Sequence, residues 1–282
     1  MCIDEKKEDD TVTDEPPKNE RNFWNTDRIH EYDIISSDLL PSDIPAYAVA
    51  ISLLNPVNKR ILDFGCFHGH SSENVLQAGA AHVTGCDKDA ICIEIAREKY
   101  GNTPGLDFVL LEGDESIPIP DESSYFDGVI ATFVHPTIKE EDELKQAFER
   151  IFKVLKQGGA AVFLGLHPNI FGQDFSFNNY APTPTEDGYN DGKPFHNVLR
   201  KPDGTVLEFD DYCWTEATME KLLLESGFST VDILALTEQN LQETELMVFS
   251  QACNKVQETY GIDLRGSAEF TVPLYQIFIA RK

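Results

Sequence analysis

Short apolar runs alternate along the chain with stretches whose apolar residues fall three and four apart. The runs at 60–65, 82–86, 107–112, 126–134, 160–166, 230–236 and 273–281 read as strands. The clearest helix spans 140–156, where Leu144, Ala147, Phe148, Ile151, Phe152 and Leu155 form one apolar stripe. Gly158-Gly159 then supplies a glycine stop. A second helix runs from about Thr215 to Ser226 and ends at Gly227, and a third lies near 241–259. Strands and helices in alternation predict an α/β fold, a doubly wound sheet of seven strands.

The flanking segments differ in character. Residues 1–21 are polar, charged and proline-containing, which predicts a disordered acidic tail. Residues 22–56 carry apolar groups at helical intervals, interrupted at Pro41 and Pro45. They predict a helical cap of one or two short helices, which either covers the sheet or closes over a ligand. The domain proper is assigned to 57–282. Within it, residues 168–214 form a long insertion between the fifth strand and the next helix. It holds nine aromatics: Phe171, Phe175, Phe177, Tyr180, Tyr189, Phe195, Phe209, Tyr212 and Trp214. Disorder disfavours such a density, so the insertion reads as an ordered lid.

The chemistry concentrates in Lys59–Ser72, KRILDFGCFHGHSS. A strand runs into Asp63, Gly65 and Gly69, and a helix follows. A glycine turn there lets a ligand approach the backbone, and the helix start offers unpaired N–H groups. Asp87 closes the second strand, where open α/β sheets hydrogen-bond ribose hydroxyls. An adenosine ligand is the expectation. A dinucleotide fingerprint starting at Gly65 would need glycine at 67 and 70, but Phe67 and His70 stand there. That disfavours the alternative of an NAD-dependent oxidoreductase. The phosphate-binding GxxxxGK[ST] loop and the GxSxG nucleophile elbow do not occur.

The stretch resembles motif I of the class I S-adenosylmethionine-dependent methyltransferases, Asp-x-Gly-x-Gly-x-Gly, in Asp63, Gly65 and Gly69; Phe67 replaces the middle glycine. Phe126-Asp127 and Leu155-Lys156-Gln157-Gly158-Gly159 resemble later motifs, and 273–282 resembles the family's last, antiparallel strand. The resemblance implies strand order 3-2-1-4-5-7-6 and S-adenosyl-L-methionine as cofactor. It places Asp63, Gly65, Cys66, Phe67, Gly69, Asp87, Lys88, Gly113, Asp114, Glu115 and Thr132 around that cofactor. Asp114 would accept from the adenine amino group. Asp63 either reaches the cofactor's ammonium or fixes the glycine turn. The implied activity is methyl transfer to N, O or C of a small molecule, with a non-methylating or non-catalytic cofactor-binding relative as the other alternative.

Net charge narrows the partners. With 49 acidic and 23 basic residues the chain carries −26, a field that repels nucleic acid and anionic membranes. The insertion has eight acids, including Asp191, Glu208, Asp210 and Asp211, against three bases. Aromatic faces and carboxylates both favour cations, so a neutral or amine-bearing, flat acceptor is expected. Six cysteines without CxxC spacing read as reduced thiols of a cytoplasmic protein, and His68 and His70 make weak metal ligands, so no metal is expected. His135 and His167 each follow a strand and should border the crevice. With His196 in the lid they are the candidate bases.

Overall fold

The computed structural model describes residues 41, 43–113, 117, 125–171, 182–184, 188–200 and 206–282. The expected acidic tail, the cap before residue 41, Asp114, Glu115 and the lid aromatics Phe175, Phe177 and Tyr180 lie outside the described residues.

The strands β1 (Arg60–Phe64), β2 (His82–Asp87), β3 (Leu106–Leu110), β4 (Phe126–Thr132) and β5 (Leu155–Leu166) are parallel neighbours in the order 3-2-1-4-5. The final strand β10 (Tyr275–Arg281) inserts antiparallel between β5 and the edge strand β9 (Thr230–Ala235). This is a seven-stranded sheet whose strands, counted along the chain, run 3-2-1-4-5-7-6, as expected. The central strands are buried on both faces, which is why they read as continuous apolar runs and not as alternation.

Each face has its own apolar layer. One packs Ala46, Val49, Val75, Ile93, Phe108, Ile130, Leu164 and Phe249. It is covered by α1 (Asp43–Leu54), α2 (His70–Gln77), α3 (Ala90–Tyr100) and α6 (Glu243–Tyr260). The other packs Leu62, Phe126, Val129, Phe148, Ile151, Phe163, Leu222 and Phe278 under α4 (Glu141–Val154) and α5 (Glu216–Glu225).

Two boundaries depart from the sequence reading. Helix α4 stops at Val154, before the glycines, because Leu155 pairs with Phe126 and already begins β5. Pro45 does not interrupt α1. It sits in the first turn, where the missing N–H has no intrahelical partner to lose.

The described part of the insertion is a three-stranded antiparallel sheet, β6 (Thr183–Pro184), β7 (Pro194–Arg200) and β8 (Val206–Tyr212). It is tied to the main body at its base. Trp214 Nε1 donates to the Ile138 carbonyl at 2.8 Å, and Tyr189 Oη donates to the Trp214 carbonyl at 3.0 Å. Asp191 accepts from the amide and hydroxyl of Thr215 and from the Thr218 hydroxyl at the start of α5. Phe195, Phe209 and Trp214 are buried, Phe195 and Trp214 within the apolar layers of the main sheet, so these aromatics do not form an open wall.

Candidate functional site

The crevice is built at the carboxyl ends of β1, β2 and β4. Gly65 turns the chain out of β1 at φ +75, and the amides of Gly65 and Cys66 both donate to the Cys86 carbonyl, at 2.8 and 2.9 Å. A Cβ on Gly65 would clash with Val134. Gly69, at φ +81, is the N-cap of α2. Between them Phe67 adopts φ +50, the left-handed conformation a glycine takes freely. The departure from the glycine pattern therefore keeps the loop's path, at a cost of about 1–2 kcal/mol.

Two carboxylates hold this loop. Asp87 Oδ2 accepts from the Phe67 amide at 3.0 Å and Oδ1 from the Asp89 amide at 2.9 Å. Burial raises the Asp87 pKa, and those two amides oppose the rise. Asp63, fully buried, accepts through Oδ2 from the Ser71 and Ser72 hydroxyls at 2.5 and 2.6 Å. Its Oδ1 is buried with no partner among the described residues. Burial pushes the Asp63 pKa up to about 6, against the two serine hydrogen bonds. Of the two roles open for Asp63, the serines account for fixing the start of α2 with one oxygen. The orphaned second oxygen fits an ammonium donor.

The remaining candidates divide. Thr132 is buried at the end of β4 and hydrogen-bonds the Tyr47 hydroxyl. Lys88 and Gly113 are exposed beside the crevice. Cys66 is buried, its thiol beside Gly85 and donating to the Phe67 carbonyl at 3.8 Å, and burial lifts its pKa well above the usual thiol value.

Two of the three expected bases, His135 and His167, are not arranged as bases. His135 does not border the crevice. Its ring is buried among Phe64, Phe148 and Phe163, edge-on to Phe278, with both nitrogens unpartnered among the described residues. Desolvation alone drives its pKa down to about 3. A His-Pro after a strand looks the same in sequence whether the ring points into the core or the cleft. His167 Nδ1 accepts from the Asn169 amide at 3.1 Å, capping a short 3₁₀ turn, and Nε2 lies 3.9 Å from Glu216 Oε1. With Nδ1 accepting, the proton of the neutral ring sits on Nε2, so neither nitrogen is free to take another. Burial lowers its pKa and Glu216 opposes this. His196, in the lid sheet, is flanked by Asp210 at 2.8 Å and Glu208 at 3.8 Å. The described lid acids are engaged too: Asp191 accepts from Thr215 and Thr218 at the start of α5, and Asp211 accepts from Asn197 at 3.0 Å. Asp174, Glu186, Asp187 and Asp203 lie outside the described residues.

The sequence reading missed Ser71, Ser72 and a contact across the crevice. Tyr275 Oη donates to Asp43 Oδ1 at 2.7 Å, joining the first residue of α1 to the first of β10. Asp43 and Tyr47, four apart, were a legible shared helix face; nothing in the sequence tied them to Tyr275.

Residues 61–159 match the family model described as a methyltransferase domain. The chain carries a methyltransferase domain over those residues, and its strand order is that of the S-adenosylmethionine-dependent methyltransferase fold. This methyltransferase is 27% identical over 183 residues to N-demethylindolmycin N-methyltransferase of Streptomyces griseus, covering 61% of this chain and 70% of that protein. It is 25% identical over 160 residues to O-methyltransferase rstn1 of Aspergillus nomiae, covering 54% and 67%. Its fold is shared with phosphoethanolamine N-methyltransferase 2 of Haemonchus contortus in complex with S-adenosyl-L-methionine. There the TM-score is 0.55 at 16% identity, covering 93% of this chain and 58% of that one. The methyltransferase uses S-adenosylmethionine as cofactor. Among the described residues no helix is long and apolar enough to cross a membrane.

Proposed function

We propose that this methyltransferase transfers the methyl group of S-adenosylmethionine to a nitrogen or oxygen of a neutral or amine-bearing small molecule. The observation that carries the proposal is the buried Asp63 oxygen without a partner, beside the Asp87-clamped glycine loop. Asp63 would hold the cofactor's ammonium, and Asp87 would accept from the ribose hydroxyls. Gly65, Phe67 and Gly69 would line the amino-acid end, with Lys88 and Gly113 nearer the adenine. When bound, the cofactor supplies an electrophilic methyl group on a sulfonium. The protein's share is alignment and exclusion of water, and alignment can supply roughly 7–11 kcal/mol in the best cases.

The two curated relatives act, by their names, on nitrogen in one case and oxygen in the other, which supports a small acceptor with either nucleophile. Helix α1 as a cap and the three-stranded insertion as a lid support the division into cap, domain and lid. Five buried free cysteines support a reducing, cytoplasmic setting.

Calorimetry with S-adenosylmethionine tests the cofactor, and mass spectrometry of product from matched amines, phenols and carboxylic acids tests the acceptor. Cofactor binding with methylated amine or phenol is the expected result. A preference for carboxylates, or tighter binding of NAD than of S-adenosylmethionine, would sink the proposal.

A further inference from the structure

Helix α1, the residue after β4 and strand β10 bring together a carboxylate and three aromatic rings outside the Asp63–Asp87 cradle. Tyr275 holds Asp43 Oδ1. Tyr47 lies one turn along α1 from Asp43, on the same face, its ring centroid 5.8 Å from that of Phe133. Phe133 in turn lies 6.3 Å from Tyr275. Phe133 is itself held at φ +55, a left-handed conformation rare in a phenylalanine and found where the surroundings over-determine it.

The group sits at the carboxyl ends of β4 and β5. Phe133 directly follows β4, and Tyr275 pairs with Leu166 at the end of β5. The Tyr47 hydroxyl bonds Thr132 and feels the charges of both Asp43 and Asp63. One hydroxyl therefore lies within electrostatic reach of the carboxylate whose orphaned oxygen fits the cofactor's ammonium and of Asp43.

Among the described residues no Lys or Arg forms an ion pair with Asp43, and its one described donor is the neutral Tyr275 hydroxyl. Desolvation pushes its pKa up to about 7, with the Tyr275 bond opposing. The residue as a whole has intermediate exposure, its carboxyl is held by the Tyr275 hydroxyl, and the Tyr47 and Phe133 rings stand next in line from that tyrosine. A desolvated carboxylate facing aromatic rings is an unfavourable place for an anion alone and a favourable one for an ammonium ion.

We propose that Asp43, walled by Tyr47, Phe133 and Tyr275, binds the ammonium form of an amine methyl acceptor and takes its proton. The inference rests on the acceptor class proposed above and narrows it to amines. An ammonium nitrogen has no lone pair and cannot attack a methyl group. On transfer the N–H bond breaks, its electron pair stays on nitrogen, and an O–H bond forms on Asp43. Tyr275 occupies Oδ1, which leaves Oδ2 for the proton. An Asp43 that titrates near neutrality is suited to accept a proton and later release it to solvent.

The competing reading is structural: an acid in the first turn of α1 that pins the helix to β10. Asp43→Asn separates the two, because its side-chain oxygen still accepts from Tyr275 while charge and basicity are gone. The experiment uses the full chain, phenethylamine and tryptamine as amine probes, and 4-ethylphenol as the matched neutral probe. Amine binding is measured by calorimetry on protein saturated with S-adenosylhomocysteine; turnover is followed by mass spectrometry. Asp43→Asn should keep the wild-type melting temperature and cofactor affinity, weaken amine binding at least tenfold, and lose at least tenfold more turnover on amine than on phenol. Tyr275→Phe removes the bond that lowers the Asp43 pKa, so the acidic limb of the amine rate profile should move to higher pH. Tyr47 and Asp63 are the other titratable groups on that side, and both stay in place.

Wild-type protein that binds neither amine, equal losses on amine and phenol, or an unmoved limb in Tyr275→Phe would each overturn the role of Asp43. Failure of S-adenosylmethionine itself to bind would instead strike the proposed function.

Discussion

The Phe67 amide donates to Asp87 Oδ2 at 3.0 Å, closing the glycine loop onto the end of the neighbouring strand. The bond ties the residue that departs from the glycine pattern to the proposed ribose acceptor. Asp87→Ala removes both the anchor of the loop and that acceptor. It should weaken S-adenosylmethionine binding by about 1.5–3 kcal/mol, the scale of hydrogen bonds to a charged group. Calorimetry on both proteins measures this, and an unchanged affinity would return Asp87 to a purely local role.

Cofactor affinity should depend on pH through Asp63. Its pKa stands at about 6 in the free protein, and a bound ammonium would lower it, so binding below that pH releases a proton. Affinity should therefore rise as pH increases toward 6 and level off above, by up to about tenfold per unit on the acidic side. Asp63→Asn should bind more weakly and show no such rise. Titrations in buffers of different ionisation enthalpy count the proton directly.

His135 makes a prediction about stability instead of turnover. Its folded pKa, about 3, lies below the unfolded value of 6.5. The unfolded chain therefore takes up a proton that the folded one refuses. The contribution to stability is complete above pH 6.5 and is lost as pH falls toward 3. Replacing the ring by leucine should leave turnover intact and make stability less sensitive to acid, by roughly 2–3 kcal/mol between neutrality and pH ~4.5. Urea denaturation of both proteins at the two pH values decides it; parallel losses would show that the ring is solvated.

His167 should behave as a cap. An asparagine there retains an acceptor for the Asn169 amide, so His167→Asn should keep stability and turnover. His167→Ala should cost about 1 kcal/mol of stability, as other caps do. A large drop in turnover for the asparagine variant, with cofactor affinity preserved, would restore the histidine as a base.

The sheet was legible because strands buried on both faces have to be apolar throughout, and Val83, Ile130, Val162 and Ile277 declare this without context. The glycine loop was legible because Gly65 and Asp87 stand at strand ends whose chemistry is local. Side-chain direction was not legible. Leu155 continues the apolar stripe of α4 yet opens β5, since its pairing with Phe126 is a long-range choice. Lid acids that looked available for a cation are used by Thr215, His196 and Asn197, partners the composition does not name. Asp43 and Tyr275 meet across 232 residues, and no periodicity spans such a distance.

The position of β10 sets an order of events. Glycine loop, Asp63, Asp87 and β1 to β4 are all made within the first 132 residues and can pair as they are synthesised. The Asp43 carboxylate meets its hydroxyl only after residue 275 is made and β10 has threaded between β5 and β9. On the ribosome the proposed cofactor cradle is thus the early part and the proposed acceptor wall the late one. A nascent chain arrested before β10 would hold the glycine loop's residues but lack the Tyr275 hydroxyl that Asp43 accepts from.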